Sequence, residues 1–343
     1  MPATPLPILP TPLPLPGAWR WRVATDDVDV HAGAQPDWHQ RYEQLSGGAF
    51  RGLVHHVQLP GLRLVREDCD QALHQRGDLG QGAYGFAMPL VMSGPAIFNG
   101  QRVEGGGGSE AAAGPAADAI LVGRGDELDL ITPARFSLIA GVVDAELLNP
   151  LWERLYGRPP GRWLEQQLVV SARPAAARAV RALHLQAMAA LADDASPVHD
   201  ATALLQLRDA LLMEWIEALP ERVSTDELPG VLQRRRLVNR ACELMLAHAD
   251  EPLSMLAVCR HVGASRRRLE TCFQDVLGTS PARYLRAVRL NGVRRELRAG
   301  AATVQAAAAR WGFFHLGQFA HDYKAQFGEL PSATRQHHRQ DTP

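Results

Sequence analysis

Lysine is almost missing from this chain: Lys324 is the only one in 343 residues, so the basic charge is guanidinium charge nearly throughout. Cysteine is scarce too. Cys69, Cys242, Cys259 and Cys272 show neither CxxC spacing nor the pattern of a disulfide framework, and a reduced, cytoplasmic protein is the expectation. Residues 1–230 hold only Cys69, which excludes a cysteine-held zinc module in the front of the chain. No apolar run approaches the roughly twenty residues of a membrane span. The opening MPATPLPILPTPLPLPG alternates Pro and Leu without a basic start or a continuous apolar core. It reads as a disordered or polyproline-like tail over residues 1–17 rather than as a signal peptide.

What is present is uneven. Net charge is −1, yet residues 231–343 carry 18 basic and 9 acidic side chains, and residues 1–230 carry 18 basic and 28 acidic ones. A basic rear beside an acidic front predicts nucleic acid at one end and a different task at the other. The length suits two domains, with 46% hydrophobic residues to fill their cores.

The rear contains a duplication. Leu253 to Gly278 reads LSMLAVCRHVGASRRRLETCFQDVLG, with Leu256, Val258, Val262, Leu269, Phe273, Val276 and Leu277 at helical spacings. Gly263 stands where a tight interhelical turn needs positive φ, and Ser265 caps the helix that follows. Thr303 to Gly328, TVQAAAARWGFFHLGQFAHDYKAQFG, repeats the plan with Thr303 as cap, Gly312 at the turn, and Phe319, Tyr323 and Phe327 as an apolar stripe. A helix from Pro281 to Arg298, about 27 Å long at about 1.5 Å per residue, connects the two. That length suits two recognition helices about 34 Å apart, one turn of DNA. Its arginines, Arg283, Arg286, Arg289, Arg294, Arg295 and Arg298, serve phosphate contacts or internal salt bridges, with a minority expected on DNA.

In a helix-turn-helix the second helix enters the major groove. With Leu269 and Phe273 facing the core, Arg266, Arg267, Glu270, Thr271 and Gln274 face outward. Arg267 suits guanine O6 and N7, Glu270 suits cytosine N4, and Arg266 and Arg268 are better placed for phosphate or the domain's own surface. In the second unit Leu316, Gly317, Gln318, His321 and Asp322 are expected outside, and Gln318 suits adenine. His321 and Lys324 complete the candidate DNA-binding set.

In front, short strands are expected between Asp37 and Val143: Leu62 to Glu67, Tyr84 to Met92, Asp126 to Ile131 and Phe136 to Val143. Glu104 to Asp118, EGGGGSEAAAGPAAD, reads as a hairpin loop; no Lys-Ser/Thr follows, so it is no phosphate cradle. From Asp144 the period turns helical, with stripes at Leu147, Leu151 and Leu155, at Val180, Leu183, Ala187, Met188 and Leu191, and from Leu204 to Leu219. His55 and His56 are adjacent, so on a strand they face opposite ways and do not ligate one metal together. No catalytic or metal-ligating residue, and no cofactor, is assigned.

Residues 231–336 resemble the DNA-binding domain of the AraC/XylS family of transcription regulators, through the first unit, the PARYLRAVRLNGVRREL helix, AAAARWGFFHLGQFAHDYKAQFG and the GELPSATR ending. Three departures stand out: Thr334 where the family usually has Tyr, His321 where Arg is common and Gly317 where Ser is common. Trp38 to Gly52, Leu62 to Glu67, the Tyr84 strand and Ile131 to Val143 resemble the front domain of family members that regulate ethanolamine-utilisation operons. The resemblance implies an activator with ethanolamine or adenosylcobalamin as effector; no effector-binding residue is placed.

The expectation is an α+β protein. A disordered tail (1–17) precedes a small cupin-like β-barrel or sandwich sensor (18–143), a helical linker or dimerisation region (144–230) and an all-α double helix-turn-helix domain (231–343). Expected partners are double-stranded DNA, a small-molecule effector, RNA polymerase and a second copy of the chain, with no membrane. The alternative is a regulator of another pathway whose front domain takes a different metabolite or a protein.

Overall fold

The computed structural model describes residues 10–35, 37–104, 118–125, 128–157, 159–160, 164, 168–192, 200–219, 229–250, 253–301 and 303–340. Most of the Glu104–Asp118 loop lies outside these residues.

The front half is built from two antiparallel sheets. One has eight strands in the order β1 (Thr11–Pro12), β2 (Trp19–Thr25), β4 (Gly52–Leu59), β5 (Leu62–Cys69), β12 (Phe136–Asp144), β7 (Ala83–Met92), β10 (Ala119–Arg124) and β13 (Leu168–Ser171). The other has five: β3 (Gln40–Gln44), β6 (Leu73–Gly77), β11 (Leu128–Ile131), β8 (Ala96–Phe98) and β9 (Gln101–Val103). A period-2 pleat sorts their side chains. On β5, Leu62 and Leu64 turn to the outer face, while Val65, Glu67 and Cys69 turn toward the second sheet. On β4, His55 and His56 do face opposite ways. His55 lies on the side of His184, and His56 Nε2 pairs with Gln35 Oε1 at 2.9 Å.

The expected barrel is not closed. Among the described residues no ladder joins the two sheets, and the outer edge of β3 is met by side chains from the rear domain rather than by a strand. Thr11 and Pro12, assigned to the tail, pair with Arg20 and Trp19, and Leu13 is buried.

The helices after Asp144 cover the outer face of the larger sheet. They are α2 (Ala145–Tyr156), α3 (Pro174–Ala192) and α4 (Ala201–Ala218), and they share one apolar cluster with β4, β5, β7 and β12. The stripe of α2 is shifted by one residue: Leu148 and Trp152 are buried, whereas Leu155 is exposed. Trp215 of α4 lies against Gly141, where a Cβ would come within 3.0 Å of its indole nitrogen. Among the described residues no helix is long and apolar enough to cross a membrane.

The rear half is all α: α5 (Pro229–Ala247), α6 (Met255–Val262), α7 (Arg266–Leu277), α8 (Pro281–Arg298), α9 (Val304–Arg310), α10 (Leu316–Phe327) and α11 (Pro331–Gln340). Two apolar clusters divide along α8. Tyr284, Leu285 and Val288 pack with α5, α6 and α7, and Leu290, Val293 and Leu297 pack with α9 and α10.

Candidate nucleic-acid interface

Each turn of the duplicated unit is made by the residue that backbone chemistry demands. Gly263 sits at φ 67° and Gly312 at φ 79°, in the left-handed region open to glycine. Ser265 Oγ accepts from the Arg268 N–H at 3.3 Å and Thr303 Oγ1 from the Ala306 N–H at 3.0 Å, so both serve as N-caps. Ser280 caps α8 in the same way, with Pro281 in its first turn.

Leu269, Cys272, Phe273, Val276 and Leu277 of α7 are buried, as are Phe319, Tyr323 and Phe327 of α10. Arg266, Arg267, Glu270, Thr271 and Gln274 are exposed on α7, and Leu316, Gln318, His321 and Lys324 are exposed on α10. Four of these side chains are already engaged within the chain, Thr271 Oγ1 donating to the Arg267 carbonyl at 3.0 Å. Arg266 Nε donates to Glu270 Oε1 at 3.0 Å, and Gln318 Nε2 donates to Asp322 Oδ1 at 2.9 Å. Asp322 is not free at the surface: it is half-buried and ion-paired with Arg286 of α8. Leu256, placed by its spacing in the first unit's core, is instead 60% exposed, because α6 is short and buries only Val258 and Val262. Thr334 is buried, its Oγ1 accepting from the Tyr323 hydroxyl at 2.9 Å and donating to Glu329 at 2.7 Å. This threonine ties α11 to the second unit's core.

The arginines of α8 divide. Arg283 is exposed, Arg286 pairs with Asp322, and Arg289 Nε donates to the Ala249 carbonyl at 2.9 Å. The last three reach the front domain. Arg294 Nε donates to Asp27 Oδ2 at 2.9 Å and Arg298 Nη1 lies 3.1 Å from Asp27 Oδ1. Arg295 reaches Asp29 at 2.7 Å, Glu43 at 3.0 Å and the Tyr42 carbonyl at 2.8 Å. Asp27 is fully buried and caps the short helix α1 (Val28–Gly33) by accepting from the Asp29 and Val30 N–H groups. Burial opposes the charge on Arg294 and Arg295, yet the carboxylates of Asp27, Glu43 and Asp29 outweigh it and raise both pKa values.

Asn291 completes the edge of β3 as a strand would. Its Oδ1 accepts from the Gln44 N–H at 3.3 Å and its Nδ2 donates to the Gln44 carbonyl at 3.2 Å. Gln44 and Gln326 exchange side-chain-to-carbonyl bonds at 2.6 and 2.7 Å. Tyr284 meets His74 Nδ1 at 2.9 Å, and His74 Nε2 in turn meets Asp129 at 3.0 Å. Asn291, Gln44, Gln326, Tyr284 and His74 do not stand out in the sequence, because their partners across the interface lie more than two hundred residues away.

Between the two sheets lies a small cavity of about 60 Å³, walled by Val65, Phe86, Phe98, Leu121, Leu130 and Leu138, with Gln35, Gln75 and Glu67 among its polar groups.

A family model described as a helix-turn-helix domain matches residues 258–337. A probable thc operon regulatory protein of Rhodococcus erythropolis is 44% identical over 108 residues, 31% of this chain and 31% of that protein. XylDLEGF operon transcriptional activator 2 of Pseudomonas putida is 30% identical over 127 residues, 36% of this chain and 79% of that protein. The chain spans less than a third of the length of the first curated relatives it matches, the share being 31% and 22% in two of them. Among solved structures, a probable AraC family transcriptional regulator from Rhodopseudomonas palustris is 36% identical over 30% of this chain and 97% of its own, at a TM-score of 0.29.

Proposed function

The chain belongs to the AraC family of transcriptional regulators, and from that premise we propose that it is a sequence-specific DNA-binding activator of an operon, controlled by a small molecule held in its front domain. One observation carries the reading. Both second helices, α7 and α10, bury an apolar stripe and leave polar side chains exposed, and both pack on the same rigid helix α8. Arg267 reads guanine, Glu270 cytosine and Gln318 adenine. Arg266, Thr271, Gln274, His321 and Lys324 add base-edge or phosphate contacts, and Leu316 meets a thymine methyl. Glu270 and Gln318 reach bases only by exchanging their present partners, Arg266 and Asp322.

The small cavity between the sheets suits only an effector of a few heavy atoms, with an apolar body and a hydrogen-bonding end. Of the two effectors implied by resemblance, ethanolamine is small enough for it and adenosylcobalamin is too large. A metabolite of another pathway is the second reading, favoured by the mostly apolar lining. RNA polymerase and a second copy of the chain remain proposed partners.

The test is footprinting on DNA upstream of neighbouring genes. Protection of two half-sites about one helical turn apart supports the reading. Binding that is indifferent to sequence overturns it.

A further inference from the structure

Beneath α1 three side chains of different chemistry converge. His31 Nε2 lies 3.0 Å from Glu67 Oε1 and 3.4 Å from Cys69 Sγ, and the sulfur lies 3.9 Å from the same carboxylate oxygen. A tetrahedral zinc ion, with metal–ligand bonds of about 2.0–2.3 Å, sets its N, O and S donors about 3.3–3.6 Å apart. The three observed separations bracket that range, so small shifts would seat an ion. All three residues are buried, and no other group of three or more such donors this close occurs among the described residues.

Three further features fit a metal site better than a lone hydrogen bond. The far ring nitrogen of His31 is held by Thr25 Oγ1 at 2.7 Å, which fixes the ring with Nε2 turned inward. Gln75 Nε2 donates to Glu67 Oε1 at 3.2 Å and orients the carboxylate. Residue 52 is glycine on β4, and a Cβ there would come within 2.5 Å of His31 Nδ1, so the imidazole occupies space that only glycine leaves open. Glu67 and Cys69 share a face because they are two apart on β5, and His31 comes from a separate segment.

We propose that His31, Glu67 and Cys69 bind one thiophilic divalent cation of the zinc class, and that α1 conveys its occupancy to the DNA-binding domain. The ion takes the imidazole nitrogen, a carboxylate oxygen and the thiolate, releasing the thiol proton to solvent; no electron changes hands. One coordination position is left for water or another donor. The link to the rear domain is short. His31 sits on the six-residue helix capped by Asp27, and Asp27 and Asp29 hold Arg294, Arg298 and Arg295 of α8. A displacement of His31 toward an ion is therefore a displacement of the carboxylates that clamp α8. This second part rests on the DNA-binding reading, whereas the site itself does not.

The experiment uses the full-length reduced protein stripped of metal and titrated with Co²⁺, then with Zn²⁺ in competition. The expected result is a thiolate-to-cobalt charge-transfer band that saturates at one equivalent and is displaced by Zn²⁺. Cys69→Ser should abolish the band and Cys259→Ser should leave it intact. Circular dichroism confirms that each variant is folded. Should Cys69→Ser fail to fold, Glu67→Gln replaces it and should weaken Co²⁺ binding at least tenfold. A missing band, a band unchanged in Cys69→Ser, or an affinity unchanged in Glu67→Gln overturns the site. Affinity for the footprinted DNA is then measured with and without Zn²⁺. A change seen in the parent and lost in Cys69→Ser supports the conveyance, and equal affinity refutes it. Absence of any specific DNA binding would sink the regulator reading while leaving the cobalt result to decide the site.

Discussion

Asp27 is a buried carboxylate that meets two arginines of the rear half, so its removal gives a sharp test of how the halves are held. Its carboxylate meets Arg294 and Arg298 and caps α1, and no part of the residue is exposed. Asp27→Ala leaves the buried Arg294 with Glu329 as its one remaining carboxylate, 3.2 Å from its Nη1, and with the face of Phe327. Breaking a buried pair by deleting one partner costs about 3–5 kcal/mol, and losing a side-chain cap about 1 kcal/mol. Glu329 offsets part of the first term, so a net loss of about 3–4 kcal/mol is expected. Asp27→Asn keeps an acceptor for the cap and should recover about 1 kcal/mol of that loss. The decisive variant is Asp27→Ala with Arg294→Met, in which an apolar side chain of similar length replaces the stranded guanidinium. It should be more stable than Asp27→Ala alone, because the cost lies in the unpaired charge. Urea melts followed by tryptophan fluorescence supply the midpoints of the parent, Asp27→Ala, Arg294→Met and the double variant. A coupling below about 0.5 kcal/mol would mean that the two residues do not share an interaction, and the clamp as described would fall.

Arg267→Ala should weaken specific DNA binding by about 1–3 kcal/mol and relax base choice at one position, as read by fluorescence anisotropy on variant operators; an unaltered preference would remove Arg267 from base readout. Phe319→Ala should cost about 3–5 kcal/mol by opening the second unit's core, and a melting temperature equal to the parent's would contradict its burial. Gly317 lies within α10 with open space on every side where a methyl group would stand, so Gly317→Ala should stabilise by about 0.5–1 kcal/mol; destabilisation in a thermal melt would show a hidden contact. Burial lowers His55 to about 4, helped by Arg22 and Arg66, and lowers His184 to about 3 despite its bond to the Val65 carbonyl. Unfolded, both histidines take a proton near pH 6.5, so their contribution is intact above that pH and is lost as pH falls toward 4, by up to about 1.4 kcal/mol per pH unit for each. Thermal midpoints measured between pH 7.5 and 4.5 should fall on the acid side, and His184→Leu should flatten the slope.

The rear half was legible because its signals are local. A cap such as Ser265 or Thr303, a glycine such as Gly263 or Gly312, and an apolar stripe such as Phe319, Tyr323 and Phe327 each sit within a dozen residues of what they determine. Strands β5, β7 and β12 were legible for the same reason, their alternation or apolar character being written in one segment. The barrel expectation failed at β3, whose closing partner is the side-chain amide of Asn291, some 250 residues downstream. No short-range pattern marks an asparagine as the neighbour of a strand. His31 is equally silent: a lone histidine after VDV carries no spacing signal, and only the fold sets it against Glu67 and Cys69.

The two helix-turn-helix units are attached to the front domain by different balances of force, the first chiefly by apolar contact beside the Tyr284–His74 hydrogen bond. Ile97 of β8 and Ile131 of β11 join the apolar cluster of the first unit, and Leu45 packs against the same cluster. The second unit is met by charge and amide chemistry: Arg294, Arg295 and Arg298 on carboxylates, and Gln326 on the backbone at Gln44 and Ser46. Apolar contacts are non-directional and tolerate small sliding, whereas hydrogen-bonded ion pairs hold only near one geometry. A rearrangement around β3 and α1 therefore breaks the second unit's attachments before it exposes the first unit's core. Arginine is suited to that duty, since Arg295 spreads its guanidinium over two carboxylates and a carbonyl at once. A lysine at residue 295 would offer a single ammonium to partners that lie on different sides, and the clamp would lose its register.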